Sequence, residues 1–155
     1  MIFSTREDID APIETVFDML CDFDIYERAA MRRGAEVRRM DKLTAQGVGM
    51  KWHAEFSMRG KHREVDVEVT CFERPNEIAL MSTSSGLEGK GFVQLLALSK
   101  TRTRMSVEFE VKPTSLPARL LLQSLKLAKG TLTKRFKLRA AEYAKTLEDR
   151  ASNVA

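Results

Sequence analysis

The sequence predicts an α+β fold in which a curved antiparallel sheet of about seven strands wraps around one long C-terminal helix, with two short helices after the first strand. In residues 114–148 apolar residues recur at helical spacing, and the helix they predict is too long to be buried in a small helical bundle. Much of residues 35–111 alternates between apolar and polar side chains, as strands do. The predicted order β-α-α-β-β-β-β-β-β-α contains no βαβ repeat, so we expect antiparallel strands.

The long helix is the element that the rest of the chain must cover. Ser115 or Thr114 can cap it, and Pro117 falls in the first turn, where a missing N–H costs nothing. At 1.5 Å rise per residue the helix would span roughly 50 Å, and Gly130 within it is interpreted as a packing position. One apolar face is predicted along it, formed by Leu121, Leu125, Ala128, Leu132, Phe136, Ala140, Tyr143 and Leu147.

The N-terminal elements are a strand and two helices. Phe3 to Ile9 is predicted as the first strand, and Pro12 occupies the first position of a helix. Asp22 can cap a second helix that ends at Gly34. The first helix has a narrow apolar stripe made of Ile13, Val16, Phe17 and Leu20.

A β-hairpin around Arg59-Gly60 is the clearest local pattern. A two-residue turn there pairs Met58 with Lys61, and therefore Trp52 with Val67. In this register the apolar residues of both strands share one face. On the other face Lys51 lies opposite Glu68, and His53 lies opposite Asp66.

Three further strands are predicted, from Glu77 to about Ser84, from Leu87 to Leu98 and from Thr101 to Val111. A two-residue turn at Ser99-Lys100 would place Gln94 and Lys90 on the inner face. A three-residue turn would place Val93 and Leu95 there instead, and the sequence leaves both registers open.

Composition indicates one domain, over residues 1–150, with a disordered tail at 151–155. The chain has 155 residues and a net charge of +4, which is mild for a nucleic-acid binder. No apolar run approaches the ~20 residues of a membrane span, and the first residues lack a signal-peptide pattern, so a cytoplasmic location is expected. Cys21 and Cys71 are expected as buried thiols.

Several loose motifs make the sequence resemble the START-like (SRPBCC) superfamily, which includes lipid-transfer domains, pollen-allergen proteins and polyketide cyclases. They are Ala11-Pro12-Ile13-Glu14-Thr15-Val16-Phe17 with Asp22, Gly47-Val48-Gly49, Arg63-Glu64-Val65, Val69-Thr70, Phe72-Glu73-Arg74-Pro75-Asn76-Glu77-Ile78 and Thr101-Arg102-Thr103-Arg104-Met105. Where relatives often carry Tyr-Pro-x-Trp, this chain has Tyr26-Glu27-Arg28-Ala29. The resemblance implies a helix-grip fold and a cavity that binds apolar molecules.

We expect the cavity wall to be rich in methionine and aromatic side chains, which repack around varied ligands, although such residues also fill cores. Arg63 could orient a carboxylate or phosphate head, or it could reach solvent at the sheet edge. Arg63 and Gln94 are the expected polar anchors. The expected wall consists of Met50, Trp52, Phe56, Met58, Arg63, Val67, Gln94, Met105, Val107, Phe109, Leu125, Leu132 and Phe136.

Enzyme signatures are thin, and no catalytic residue, metal site or cofactor is predicted. His53 and His62 are expected on different faces or ends of the sheet, and a cross-strand pair explains His53 opposite Asp66 better than a catalytic relay. The glycines from Gly86 to Gly91 enter a strand, so they do not form a phosphate loop.

The leading hypothesis is a carrier or sensor of a small hydrophobic molecule such as a lipid, quinone or polyketide. The alternatives are a cyclase/dehydratase-type enzyme using the same cavity, which a buried acid, Tyr or His would favour, and an adapter that binds a protein through its basic face. That face either is simply solvated or contacts an anionic membrane surface. Its residues are Lys126, Lys129, Lys134, Arg135 and Lys137.

Overall fold

The computed structural model describes residues 1–154 and contains one seven-stranded antiparallel sheet. Its strands are β1 (Ile2–Ile9), β2 (Glu36–Arg39), β3 (Lys51–Met58), β4 (Lys61–Glu73), β5 (Glu77–Ser84), β6 (Leu87–Ser99) and β7 (Arg102–Pro113). The helices are α1 (Ile13–Leu20) and α2 (Phe23–Arg32) after the first strand, then α3 (Leu116–Leu125), a 3₁₀ turn (Lys126–Ala128) and α4 (Lys129–Val154). The sheet order is β1-β7-β6-β5-β4-β3-β2, and the predicted fold class is confirmed.

The long C-terminal helix starts as the sequence predicts. The Ser115 side chain accepts a hydrogen bond from the Ala118 N–H at 3.2 Å, and Pro117 lies in the first turn. The helix continues to Val154, and Ala151 packs against the core. Residues 151–154 are therefore helical and not the disordered tail that the sequence suggested, while Ala155 lies outside the described residues.

The predicted apolar face of this helix needs a correction in its first half. Leu121 is 49% exposed, whereas Ala118 and Leu122 are buried. The 3₁₀ turn advances about 120° per residue instead of 100°, so it shifts the phase of the apolar face between α3 and α4. Gly130 has no neighbour within 4 Å of an added Cβ, so close packing is not its role.

Asp22 occupies the N-cap position of α2, but its side chain makes no capping hydrogen bond. Its carboxylate faces Arg150 of α4, at 3.8 Å. The residue thus joins two helices that are distant in sequence, and the predicted local cap is not formed. Gly34, with φ at +93°, follows the end of α2 as predicted.

The β3–β4 hairpin has the predicted register. Met58 pairs with Lys61 and Trp52 pairs with Val67. Arg59 and Gly60 both have positive φ angles, 52° and 76°, as a type I′ turn requires. Alternation along two neighbouring strands was sufficient to predict this pairing.

The β6–β7 register corresponds to the second of the two alternatives. Leu95 pairs with Met105 and Val93 pairs with Val107, so both face inward. A register shift between Ala97 and Ser99 is the physical reason, because it adds one unpaired residue to β6 before the turn. Gln94 consequently lies on the outer face, and its predicted inward position is wrong.

The largest core cluster lies at the C-terminal end of α4. Ala144 and Leu147 pack there against Phe17 of α1 and Ile9 of β1. A second, smaller cluster consists of Met50, Trp52 and Val69 on the β3–β4 side. The structure is therefore tightly closed at one end of α4 and less filled towards the middle of the sheet.

Gly86 connects the β5–β6 turn to the start of α3. Its φ is +78°, and an added Cβ would lie 2.6 Å from the Ser115 Oγ that caps the helix. We expect Gly86→Ala to lower the free energy of unfolding by about 2–4 kcal/mol, since it combines backbone strain with displacement of the cap. Urea denaturation measures this loss.

Gly60→Ala is the matched control for Gly86→Ala. Gly60 has a similar φ of +76° but no neighbour within 4 Å of the added Cβ, so only backbone strain remains, about 1–2 kcal/mol. Equal losses for the two variants would contradict the assigned role of Gly86 at the helix cap.

Candidate functional site

A cavity of about 550 Å³ lies between the concave face of the sheet and helices α2 and α4. Its volume falls within the usual range for small-molecule sites. The sheet contributes Trp52, Ala54, Val67, Ile78, Leu80, Val93, Met105 and Val107. The helices contribute Leu20, Phe23, Tyr26, Glu27, Ala30, Phe136, Arg139, Ala140 and Tyr143, and Val37 completes the wall from β2.

The strand residues reach the cavity because side chains alternate between the two faces of a strand. Val67 of β4 lies beside Trp52 of β3, and Val93 of β6 lies beside Val107 of β7. Several of these side chains are small or branched, as at Ala54. They cover the sheet with a smooth apolar surface and leave the space above it unfilled.

Helix α2 supplies the opposite wall through one of its faces. Phe23, Tyr26, Glu27 and Ala30 are spaced at intervals of three and four residues, so they line up along the cavity. The Phe23 ring lies 5.3 Å from the Trp52 ring, between centroids. This contact joins α2 to the sheet and makes one edge of the cavity aromatic.

Two tyrosines form a polar point in the otherwise apolar wall. The Tyr26 hydroxyl donates to the Leu20 carbonyl at 2.8 Å, so Tyr143 must donate to Tyr26 in the short contact between their hydroxyls. Both protons are thus already used, and only oxygen lone pairs remain for a ligand. Burial raises the pKa of both hydroxyls, so neither ionises near neutral pH.

Glu27 is the acidic group of the cavity wall. Its Oε1 accepts a hydrogen bond from the Trp52 indole N–H at 2.5 Å, which orients both side chains. The second carboxylate oxygen has no hydrogen-bond partner among the described residues. Arg139 of α4 also lines the cavity while remaining exposed to solvent, so it lies where the cavity opens.

Five of the residues expected in the wall do line this cavity: Trp52, Val67, Met105, Val107 and Phe136. Met50 is fully buried in the small core cluster and leaves no surface for a ligand. Leu125 and Leu132 are half-buried along the C-terminal helix, outside the cavity.

Phe56, Met58 and Arg63 lie along the β3–β4 hairpin beyond the cavity. Met58 is 52% exposed and Arg63 is also exposed, so Arg63 reaches solvent and is not a buried anchor. The register of this hairpin was predicted correctly, but it extends past the helices that could cover it.

The Phe109 side chain packs over two glycines of the neighbouring strand β6. An added Cβ on Gly89 would come within 3.0 Å of the Phe109 ring, and Gly91 is the next glycine beneath it. The glycines of this stretch therefore make room for the Phe109 ring on the face of the sheet, where it is 37% exposed, and their position within a strand agrees with the prediction that they are not a phosphate loop. Gln94 lines a shallow depression on the opposite, outer face.

Sequence reasoning missed Tyr26, Glu27, Arg139 and Tyr143, which are the polar groups of the cavity. A signal was present in α2, where Phe23, Tyr26, Glu27 and Ala30 have helical spacing. It could not be used without knowing that this helix lies across the sheet. The sequence predicted Tyr143 on the apolar face of the long helix, but its hydrogen-bond partner, Tyr26, is 117 residues away in the chain.

His53 and His62 both lie on the outer face, where each approaches Glu64, so the expectation of different faces or ends is wrong. His53 Nδ1 is 2.7 Å from Asp66, the predicted cross-strand partner, and its Nε2 is 3.3 Å from Glu55. The hydrogen bond that His53 donates to Asp66, followed by the one to Glu55, raises the pKa of His53. The side-chain ligand atoms of His53, Glu55 and Glu64 are close enough together to bind one metal ion. A protonated His53 between the carboxylates explains the same cluster without a metal ion.

Both cysteines are free thiols in the structure, as expected from the sequence. Cys21 is buried and Cys71 is half-buried. Burial raises the pKa of Cys21 to about 11, so it is a poor nucleophile at neutral pH. Among the described helices, none combines the length and apolar character that crossing a membrane requires.

Comparison with solved structures identifies the fold class. A protein of Thermus thermophilus matches with a TM-score of 0.65 and 16% identity, covering 100% of this chain and 99% of the other. A START superfamily protein from Mycobacterium smegmatis matches with a TM-score of 0.61 and 16% identity, covering 99% of both chains. The chain therefore has the START-like (SRPBCC) helix-grip fold.

A third similar structure is the Zhui aromatase/cyclase from Streptomyces sp. R1128. Its TM-score is 0.62 at 13% identity, with 98% of this chain and 93% of the other covered. No protein-family model and no curated protein sequence matches the chain. At these identities the similarity establishes the fold and leaves the ligand open.

The His53 cluster predicts a pH-dependent contribution to stability. A raised pKa means that the folded state binds the proton more tightly, so the stabilisation is fully present below the unfolded value of 6.5 and is lost as pH rises through the folded pKa. We expect His53→Gln to lower the thermal midpoint more at pH 6 than at pH 9. Thermal unfolding followed by circular dichroism at both pH values measures the difference.

His62→Gln is the control for His53→Gln, because the His62 side chain is 63% exposed and lies 3.9 Å from its nearest carboxylate. Its effect should be small at both pH values. If the effect of His53→Gln on the thermal midpoint is independent of pH, protonated His53 does not stabilise the folded state.

Proposed function

We propose that the protein binds and carries a small hydrophobic molecule in the cavity between the sheet and helices α2 and α4. The observation that carries this proposal is the cavity itself, about 550 Å³ with an almost wholly apolar wall. Water is poorly held in such a space because it finds few hydrogen-bond partners there. An apolar ligand would make the dispersion contacts that the side chains of the wall do not make with one another across the cavity.

The wall suits a carrier that selects by shape. Its aromatic edge, formed by Phe23, Trp52 and Tyr143, provides flat surfaces, and Met105 adds a flexible thioether. The two tyrosine hydroxyls and the Glu27 carboxylate offer hydrogen-bond acceptors to a polar end of the ligand. A lipid, a quinone or a polyketide-like molecule would fit this description.

The similar solved structures support this class of function without naming a ligand. One is a START superfamily protein and another is an aromatase/cyclase, so proteins with this fold differ in what they do. The basic residues of the C-terminal helix remain a proposed contact with an anionic membrane surface. They are Lys126, Lys129, Lys134, Arg135 and Lys137.

A cyclase/dehydratase-type enzyme is the second candidate, because Glu27 and two tyrosines lie in the cavity wall. In this hypothesis the Glu27 carboxylate takes a proton from the carbon between two ketones of a bound chain. The resulting enolate attacks another ketone of the same chain, and Glu27 returns the proton to the new alkoxide. Glu27 then removes the second proton from the attacking carbon, and the hydroxyl departs with that proton as water, which leaves a carbon–carbon double bond and an ionised Glu27. The adapter hypothesis predicted a collapsed cavity, and the open cavity gives it no support.

A cavity-filling substitution tests the carrier proposal. Val93→Phe places a ring into the cavity, so binding of the neutral fluorescent probe N-phenyl-1-naphthylamine should weaken at least about tenfold, because such sites bury most of a ligand's surface. The probe is titrated into the purified protein and its emission is recorded. Mass spectrometry of extracted protein then identifies any natural ligand.

Gln94→Phe is the matched control, since the adjacent side chain lies on the outer face of the same strand. It should bind the probe as the wild type does. Unchanged binding in Val93→Phe, or equal loss in both variants, would rule out this cavity as the binding site.

The enzyme candidate is tested with a linear poly-β-ketone thioester. If Glu27 is the base, Glu27→Gln should slow formation of the cyclised, dehydrated product by about 10²–10⁴-fold. Binding of N-phenyl-1-naphthylamine should be retained, which separates chemistry from binding. Glu142→Gln, an exposed acid on the same molecule, is the control. Absence of turnover in the wild type would leave the carrier proposal alone.

A further inference from the structure

The segment from Leu116 to Ala128, which comprises α3 and the 3₁₀ turn, is apolar on two opposite sides. Its inner side is buried through Ala118 and Leu122. Four of its leucines are exposed to solvent: Leu116 at 68%, Leu120 at 58% and Leu127 at 94% on the outer side, and Leu121 at 49% on a flank. Large apolar side chains that are grouped on one exposed side of a helix often mark a contact surface, and nothing covers this one within residues 1–154.

Three of the four exposed leucines lie on one side of the segment, and Leu121 lies roughly 100–140° further round the helix. Leu116, Leu120 and Leu127 are separated by four and seven residues, so they fall within about 60° of one another around the helix when the wider advance of the 3₁₀ turn is included. Leu122 points to nearly the opposite side on the same reckoning. The three leucines therefore extend over three turns on one side, with the exposed polar residue Gln123 between Leu120 and Leu127.

The charged residues around this surface indicate which kind of partner would bind there. No Asp or Glu occurs between Glu110 and Glu142, while the stretch contains Lys112, Arg119, Lys126, Lys129, Lys134, Arg135, Lys137 and Arg139. Within residues 1–154, no cation from Arg119 to Arg139 forms a salt bridge with a carboxylate. The leucines thus lie in a region of uncompensated positive charge.

We propose that the leucine segment docks onto an anionic lipid bilayer. The leucines would enter the interface between headgroups and acyl chains, and Arg119, Lys126 and Lys129 would contact the phosphates beside them. A nucleic acid would satisfy the cations but leave the leucines in water. A second copy of the chain would cover the leucines but bring two positive surfaces together. An anionic bilayer satisfies both features at once.

Docking in this way also brings the cavity close to the bilayer. Phe136, the first residue of α4 that lines the cavity, follows Leu127 by nine positions, or about 14 Å along a helix. The 3₁₀ turn and Gly130, which has no packing neighbours, lie between the leucine segment and the part of α4 that lines the cavity. The proposal extends the membrane contact proposed above for the basic residues by naming the segment that inserts, and it stands independently of any ligand bound in the cavity.

Vesicle flotation tests the docking. The wild-type protein should float with phosphatidylcholine vesicles that contain phosphatidylserine and should bind vesicles of phosphatidylcholine alone much more weakly. Lys126→Gln combined with Lys129→Gln should lower the partition coefficient about 30-fold, from roughly 1 kcal/mol for each cation near the surface. Lys61→Gln combined with Lys100→Gln, on turns of the sheet, is the control and should bind normally.

Leu127→Gln should weaken flotation at least about tenfold, whereas Leu138→Gln should not. Leu138 is 59% exposed and belongs to α4 instead of the leucine segment, so it controls for the loss of any exposed leucine. Because the Leu127 side chain is almost fully exposed, its variant should keep the wild-type thermal midpoint. The cavity-filled Val93→Phe variant should still float, which separates docking from cargo binding.

Two outcomes would overturn the proposal. Equal binding of the wild type to both vesicle types would rule out an anionic bilayer as the specific partner. Equal effects of Leu127→Gln and Leu138→Gln would show that the leucine segment does not dock. Analytical ultracentrifugation adds a second check. A wild-type dimer that Leu127→Gln converts to a monomer, without any vesicle binding, would mean that a second copy covers the leucines.

Discussion

The attachment of the last turns of α4 to β1 and α1 is the constraint on which the rest of the structure depends. Leu147 is fully buried there, and Ala144 is nearly so, against Ile9 and Phe17. A helix fixed at one end over a twisted, curved sheet cannot follow the sheet along its whole length. The two surfaces separate towards the middle of α4, and small side chains such as Ala54 do not fill the gap. The cavity follows from this geometry.

The polar groups around the cavity are arranged so that an empty cavity leaves no donor unsatisfied. Tyr26, Tyr143 and Trp52 all use their protons on protein acceptors. Within residues 1–154, every fully buried side-chain nitrogen and oxygen has a hydrogen-bond partner. A ligand is therefore not required to complete a polar network. What the cavity offers is mainly apolar contact, together with acceptor atoms on Tyr26, Tyr143 and Glu27 and the Arg139 guanidinium where the cavity opens.

The C-terminal helix serves two different surfaces along its length. From Phe136 onward its inner side faces the cavity and then the core. Before the 3₁₀ turn, the helix buries only a few residues against the rest of the protein and exposes several leucines to solvent. A change of helical phase at the turn allows both arrangements, because it rotates the inner face between the two segments. The uninterrupted repeat in the sequence conceals this division.

The sequence by itself determined the features that depend on neighbouring residues. The β3–β4 register follows from alternation and the Arg59-Gly60 turn, and the start of α3 follows from Ser115 and Pro117. The tertiary structure alone decided that Val93 faces inward and Gln94 outward, because one bulged residue near Ser99 inverts the faces of β6. It also decided which polar groups meet across the cavity. Local backbone preferences act over a few residues, whereas bulges, helix placement and burial are fixed only when distant segments compete for the same space.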